Sequence, residues 1–203
     1  MDDQAVVGTL LSRRSVSPKR LQGPGPGREM VNTILDAGLR APDHGGLLPW
    51  RVVEFPADSR EALADLFEAE KVRRDPLVSN EDRVRAREHA LHAPVVLAFV
   101  VRPERHPLVP KHEQLLCAGA ALGNMLMAAH ALGFGASMLS GERCSDDTLR
   151  EALGVLAEET LAGFVSIGTI AKAPSPAKKP SRERVWCEWA PVKTDQVAST
   201  TRA

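Results

Sequence analysis

Gln114 to Gly141 reads QLLCAGAALGNMLMAAHALGFGASMLSG and contains no Asp, Glu, Lys or Arg. A membrane-spanning helix needs about 20 predominantly apolar residues. This stretch carries Asn124, His130, Ser137 and Ser140 and is broken by Gly133 and Gly135, so it reads as a buried helix over about Glu113 to Leu132. A helix that is apolar all round must lie at the centre of a large core or between subunits. A chain of 203 residues has limited room for the former. The small residues Ala118, Gly119, Ala120, Ala121 and Gly123 permit close approach of a second helix or a flat ligand. A dimer is therefore expected.

Working outward, Pro94 to Val101 is an apolar, β-branched run of strand length, hence a central strand. Gly135 to Leu139 and Phe164 to Ile170 read as further strands, and Arg51 to Phe55 as another. Gln4 to Ser12 is predicted helical, with Val6, Val7, Leu10 and Leu11 at helical spacing. A second helix is predicted over Arg28 to Arg40, with Met30, Ile34, Leu35 and Leu39 on one stripe and Pro42 beyond its end. Asp58 and Glu61 have capping-box spacing before a helix carrying Leu63, Leu66 and Phe67. Lys71 to Glu88 mixes both charges and reads as an exposed helical hairpin of low intrinsic order. Ser145 is the expected N-cap of a helix through Leu153. Strands separated by helices make a layered α/β or α+β domain. It is expected as a single domain over residues 1–203, with an extended tail over 173–203 that docks, through Trp186 and Trp189, on a partner subunit.

Composition excludes several classes. Lys and Arg number 26 against 26 Asp and Glu, whereas nucleic-acid binding draws on a concentrated basic excess. No polybasic membrane patch is present. The chain has no Tyr, so a phenol takes no part in any chemistry. Cys117, Cys144 and Cys187 form no CxxC pair, which fits a reduced, cytoplasmic location. The acidic start MDDQ lacks the positive charge of a signal peptide and is expected to open a mature soluble protein.

Three constellations could carry chemistry. Arg13-Arg14-Ser15 combines two guanidinium forks and a hydroxyl, suited to a phosphate monoester. Cations near a helix carboxyl end also complement its dipole, and that reading stays open. Arg40-Ala41-Pro42-Asp43-His44-Gly45-Gly46-Leu47-Leu48-Pro49-Trp50 is a rigid loop whose backbone can approach a planar ligand. His44 alone also suits an ordinary loop histidine. Gly133 to Gly141 lacks the strand, GxGxxG and helix order of a dinucleotide fingerprint. His89 and His92 lie three apart on a charged helix with no third metal ligand in view. P-loop, HExxH and GxSxG motifs are absent.

Together, the Arg-Arg-Ser, the loop APDHGGLLPW, the helix in KHEQLLCAGAALGNMLMAAHALGFG and the strand FVSIGTI resemble the nitroreductase family of FMN-dependent NAD(P)H oxidoreductases, in its compact, minimal-length branch. The likeness runs from about Gln4 to Ile170. It implies an α+β fold with a mainly antiparallel central sheet flanked by helices, in an obligate homodimer with FMN at the interface. By this resemblance Arg13, Arg14 and Ser15 hold the phosphate and ribityl chain, and Arg40 and His44 approach the cofactor, His44 from the other subunit. Met138, Leu139 and Ser140 match a flavin-contacting segment. Ala128, Ala129, His130, Ala131, Leu132 and Gly133 match a nicotinamide-cofactor region. The chain departs from its relatives at Leu48, where many have Gln. It departs again at Met138-Leu139, where the compact branch often has Trp-Arg, and at Ser17, where larger relatives carry a cation. Arg40 or the basic tail residues Lys178, Lys179, Arg182 and Arg184 are candidates to replace that cation; a solvated tail is the other reading of the latter four.

The activity implied is a two-step exchange in which NAD(P)H gives hydride to flavin N5 and a small electron-poor acceptor, such as a nitroaromatic or quinone, then takes the electrons. No side chain need act as acid or base, so no catalytic residue and no metal is expected. A non-catalytic flavin carrier or sensor, and a cofactor-free dimeric scaffold, are the alternatives.

Overall fold

In the computed structural model, which describes residues 3–174 and 181–191, strand β3 (Val95–Val101) lies at the middle of the sheet. Its sequence VVLAFVV is apolar on both faces because both are covered. β2 (Trp50–Glu54) pairs with it antiparallel from Trp50↔Val101 to Glu54↔Leu97. β5 (Thr160–Ile170) pairs antiparallel on the other side. The free edge of β5 takes two short strands end to end: β4 (Gly135–Leu139) beside Phe164 to Gly168, and β1 (Leu21–Gln22) beside Thr169 and Ile170. Every ladder is antiparallel, so the expected sheet and α+β class are borne out.

Alternation along β3 divides the core in two. Val96, Ala98 and Val100 join Leu63, Phe67, Ala90, Leu149 and Phe164 on one face. Leu97, Phe99 and Val101 join Ile34, Trp50, Met125, Val165 and Ile167 on the other. The first face is covered by α3 (Arg60–Arg74), α4 (Asn80–Leu91) and α6 (Asp147–Ala152), where Phe67 meets Phe164 edge-on at 4.8 Å. The second is covered by α2 (Arg28–Gly38) and α5 (Lys111–Ala131), with Trp50 stacked on Phe99 at 5.6 Å. α1 (Asp3–Ser12) lies outside, against α5.

The charge-rich segment is an ordered helical pair. Arg87 on α4 bridges Glu61, Asp65 and Glu68 on α3, and Arg83 also reaches Glu68. Surface pairs of this kind contribute little individually. The contact itself is made by small apolar residues, Ala86 and Ala90 being buried. Buried Arg60 adds an anchor, donating to Ala90 O at 3.0 Å and to Ala93 O, where α4 ends and the chain turns into β3.

Several local expectations are corrected. α6 is capped by Asp146, whose carboxylate accepts from Leu149 N at 2.7 Å, because Ser145 is already used in a preceding 3-10 turn. Asp58 caps nothing; it lies in a 3-10 turn, and α3 begins at Arg60. In α2 the buried stripe is Val31, Ile34 and Gly38, not the one through Met30 and Leu39, which are exposed. β5 begins four residues before Phe164, at Thr160. The uncharged helix is not buried on all sides within one chain: Leu115 and Leu116 stand 46% and 70% exposed. Val6, Val7, Leu10 and Leu11 of α1 are exposed too. Trp186 and Trp189 are likewise uncovered, while Lys178 and Lys179 lie outside the described residues. Among the described residues, no helix is long and apolar enough to cross a membrane.

Glu159 at the start of β5 is buried, accepts from Arg51 Nε at 2.7 Å and from Leu156 N at 3.0 Å, and is held below the usual glutamate range chiefly by the Arg51 hydrogen bonds. A depressed carboxyl contributes stability that is complete above its unfolded pKa and lost as pH falls through its folded one. Urea unfolding should therefore find Glu159→Gln about 2 kcal/mol less stable at neutral pH, with the difference from wild type shrinking on acidification below the ordinary glutamate range.

Candidate functional site

At the end of α1 the chain leaves the helix and lies along β4. Ser15 forms a parallel bridge with Ala136, and Val16 N donates to Ala136 O at 3.0 Å. Val16 is buried, which fixes the segment. Arg13, Arg14 and Ser15 are thus brought to the outer edge of β4. Two polar atoms close to this bridge are buried with no protein partner: Arg13 Nη1 and Ser137 Oγ. Groups of this kind are costly unless something accepts from or donates to them. A guanidinium nitrogen and a hydroxyl suit an anionic or acceptor-rich ligand.

Along β4, Met138 turns to the α5 side and packs on that core. Ser137 and Leu139 turn to the α3–α4 side, opposite Ser166 and Phe164. There Leu139 and Ser140 line a cavity of about 200 Å³, together with His89 of α4 and Arg143 of the turn after β4. The Arg143 guanidinium lies 4.2 Å over the Phe67 ring, and burial pushes its pKa down. His89 is also pushed down, by burial first and by the Arg143 charge second. Glu70 is fully buried and accepts from Arg74 Nε at 2.6 Å.

The 40–50 loop is built around Asp43, whose carboxylate accepts from Leu47 N at 3.2 Å and Leu48 N at 2.8 Å. Gly45 at φ +83° and Gly46 at +65° supply left-handed turns. Leu48 adopts φ +46° without being glycine, a strain tolerated because Asp43 and Arg102 hold its N–H and C=O. His44 Nδ1 lies 2.8 Å from Glu113 Oε2, on the exposed side of α5.

The sequence-predicted residues therefore fall in three places within one chain. Arg13, Arg14 and Ser15 adjoin β4, with Met138, Leu139 and Ser140 on or just after it. Arg40, Ala128 and Ala131 line an apolar groove of about 550 Å³ against α1. His44 sits with Glu113, apart from both. In the remaining nicotinamide-matched positions, Ala129 is core, His130 Nε2 lies 3.0 Å from Ser12 Oγ, Leu132 is exposed, and Gly133 ends α5 at φ +88°. Ser137 and Arg143 were missed by sequence reasoning, and His89 was weighed only as a metal ligand. Strand alternation could have flagged Ser137, as a hydroxyl on an otherwise apolar strand; nothing local marks Arg143.

Residues 10–169 match the family model described as the nitroreductase family. The chain belongs to the nitroreductase family. It is 35% identical over 162 residues to an Escherichia coli K12 protein named "Putative NAD(P)H nitroreductase YdjA", covering 79% of this chain and 85% of that one. A Desulfovibrio desulfuricans nitroreductase-like structure, described as in complex with FMN, superposes with a TM-score of 0.69 at 28% identity, covering 92% of this chain and 98% of that one. A nitroreductase-like protein from Bacillus cereus reaches a TM-score of 0.76 at 18% identity, over 91% and 95% of the two chains. The expected family, oxidoreductase class and fold are thus borne out.

Within this nitroreductase, Gly163 on β5 sets the position of the turn after β4: a Cβ there would meet Leu139 O at 2.6 Å. Gly163→Ala should destabilise the protein by about 1–3 kcal/mol through overpacking, read as a lower urea midpoint, and should shift the backbone amide signals of residues 138–141.

Proposed function

We propose that this chain is an FMN-dependent NAD(P)H oxidoreductase that reduces small electron-poor acceptors, nitroaromatics or quinones, by a ping-pong sequence in which nicotinamide and acceptor use one cavity in turn. The observation that carries the reading is the buried, unpartnered Nη1 of Arg13 on the segment that Ser15 pins to β4. It fits the anionic end of FMN, with Arg14 and Ser15 completing the grip on phosphate and ribityl oxygens. FMN when bound supplies the redox chemistry, accepting a hydride equivalent and passing on two electrons. The protein's part is binding, orientation and electrostatics. Ser137 Oγ and the backbone from Met138 to Ser140 would hold the ring, and the apolar residues beside them would keep water from it.

The site is completed by a second copy. The exposed apolar residues of α1 and α5, with the groove lined by Arg40, Ala128 and Ala131, are surface of the kind buried in obligate homodimers. Pairing through it brings the 40–50 loop of one chain, with Arg40 and His44, to the cofactor of the other. The segment from Ala128 to Gly133 borders the nicotinamide. The exposed Trp186 and Trp189 dock on the partner in the same assembly. The balanced charge and unpaired cysteines favour a cytoplasmic enzyme.

Arg13→Ala should weaken FMN binding roughly ten- to hundredfold, since each charge-assisted bond contributes about 1.5–3 kcal/mol, while sedimentation still reports a dimer. Fluorescence titration with FMN reads the first and analytical ultracentrifugation the second. Unchanged affinity would remove the phosphate role of this segment. Anaerobic addition of NADH or NADPH should bleach the bound flavin, and a subsequent nitroaromatic should restore its colour; a flavin that neither nicotinamide bleaches would leave a carrier.

A further inference from the structure

The carboxyl-terminal end of α3 is tied by charge to the turn after β4. Glu70 lies on α3 fully buried, and Arg73 and Arg74, three and four residues on, share its face of the helix. One Glu70 oxygen accepts from Arg74 Nε at 2.6 Å. The other, Oε2, has no hydrogen-bond partner among the described residues and stands 3.8 Å from Arg143 Nε. Both guanidiniums lead to the turn Glu142–Ser145: Arg74 passes on to the Glu142 carboxylate, and Arg143 belongs to the turn itself, where it lies 4.2 Å over the Phe67 ring of α3. Beside them Arg73 Nη2 donates to Asp146 Oδ1 at 2.6 Å, and Asp146 in turn caps α6. The chain is thus held to α3 at Glu142, Arg143 and Asp146. A carboxylate enclosed in protein is costly unless cations compensate it, and an apolar side chain in its place is often no less stable. Stability alone therefore does not account for Glu70; placement of the turn does. The β4 ladder ends at Leu139, so Ser140 and Gly141 are fixed by what holds the residues on either side of them, β4 before and the α3 contacts after.

We propose that Glu70 is a positioning residue for the candidate site: by holding Arg74 and Arg143 it fixes the turn Glu142–Ser145 against α3, and with it the backbone of Ser140 and Gly141. The inference rests on the FMN reading above, in which the backbone from Met138 to Ser140 holds the ring. Glu70 acts through the turn and touches no ligand, and Arg143 answers an internal carboxylate. Without the Glu70 charge, Arg143 becomes a largely buried cation facing no anion. An unpaired charge of that kind is strongly unfavourable, and the turn relieves it by moving the guanidinium toward water, which draws Ser140 and Gly141 out of place.

The test uses Glu70→Gln, which keeps the shape and an acceptor for Arg74 but removes the charge, Arg143→Met, and the two together. Before FMN is added, hydrogen exchange at the amides of Cys144 and Asp146, which donate to Gly141 O and Arg143 O, should be about tenfold faster in Glu70→Gln than in wild type. Fluorescence titration should then find FMN affinity about tenfold weaker in each single variant and no weaker still in the double, because each change frees the same turn. Arg60→Met removes a buried cation at the start of α3, away from the turn, and controls for general loosening. Its urea midpoint should fall while FMN affinity stays within about threefold of wild type. Unchanged exchange or unchanged FMN affinity in Glu70→Gln overturns the proposal, as do losses that multiply in the double variant or an equal loss in Arg60→Met. Should Glu70→Gln fail to fold, Arg143→Met and Glu142→Gln decide it: unchanged affinity in both overturns the proposal, and a loss in either with faster exchange at Cys144 bears it out. Wild type that takes up no FMN would instead sink the functional reading itself.

Discussion

The antiparallel contact between β4 and β5, five residue pairs from Gly135↔Gly168 to Leu139↔Phe164, is the constraint on which the site depends. β5 is held firmly because β3 pairs along its other edge and both faces are covered. β4 is short and has no second full strand beyond it. What occupies that outer edge is the segment after α1, through the Ser15 bridge to Ala136. Two sequence blocks more than a hundred residues apart, Arg-Arg-Ser and Met-Leu-Ser, are thereby placed on one short strand and its margin. Close packing around β5 is why Gly135, Gly163 and Gly168 lack side chains: a Cβ would meet Leu21 at 2.7 Å from Gly135, Leu139 O at 2.6 Å from Gly163 and Pro94 at 2.6 Å from Gly168.

Placing polar groups against such an edge carries a cost that the rest of the fold must offset. Arg13 Nη1 and Ser137 Oγ are buried without protein partners, and Leu48 holds a left-handed backbone. Unsatisfied buried atoms cost about 1–3 kcal/mol each, and strained backbone a comparable amount. The two apolar clusters on either side of β3 provide the margin. The ion-pair lattice between α3 and α4 adds order rather than much stability, because Glu61 and Asp65 are exposed.

How much of this was legible in the sequence follows from how local each signal is. β3 was readable because burial on both faces leaves an uninterrupted apolar run. The end of α5 was readable because Gly133 supplies a left-handed stop. The stripe on α2 was misassigned by one position because Met30 and Val31 are both apolar; only packing against Trp50 and Met125 at Gly38 selects between the faces. The cap of α6 went to Asp146 over Ser145 because a 3-10 turn consumed the serine, a choice invisible to propensity. In the candidate site, Arg13 and Ser15 were marked by two guanidinium forks beside a hydroxyl, and Ser140 by family likeness. Arg143 was not marked, since its place over Phe67 beside Leu139 and Ser140 comes from packing rather than from its neighbours in sequence.

Helix α5, uncharged from Gln114 onward, joins these threads. Its inner face, through Cys117, Ala118, Ala121, Met125 and Ala129, fills the core under β3 and β5. Its outer face presents Leu115, Leu116, Gly119 and Gly123 to the exterior. A helix serving only one chain would carry charge on that outer face, as α4 does with Glu81, Arg85 and Glu88. Small and apolar residues there cost solubility in the monomer and are compensated only when a like surface covers them. The same covering would bring the 40–50 loop, whose His44 leans on Glu113 of α5, toward a site its own chain does not reach. The apolar outer face of α5 beyond Glu113 and the separation of His44 from Arg13 within one chain both fit the two-copy assembly proposed above.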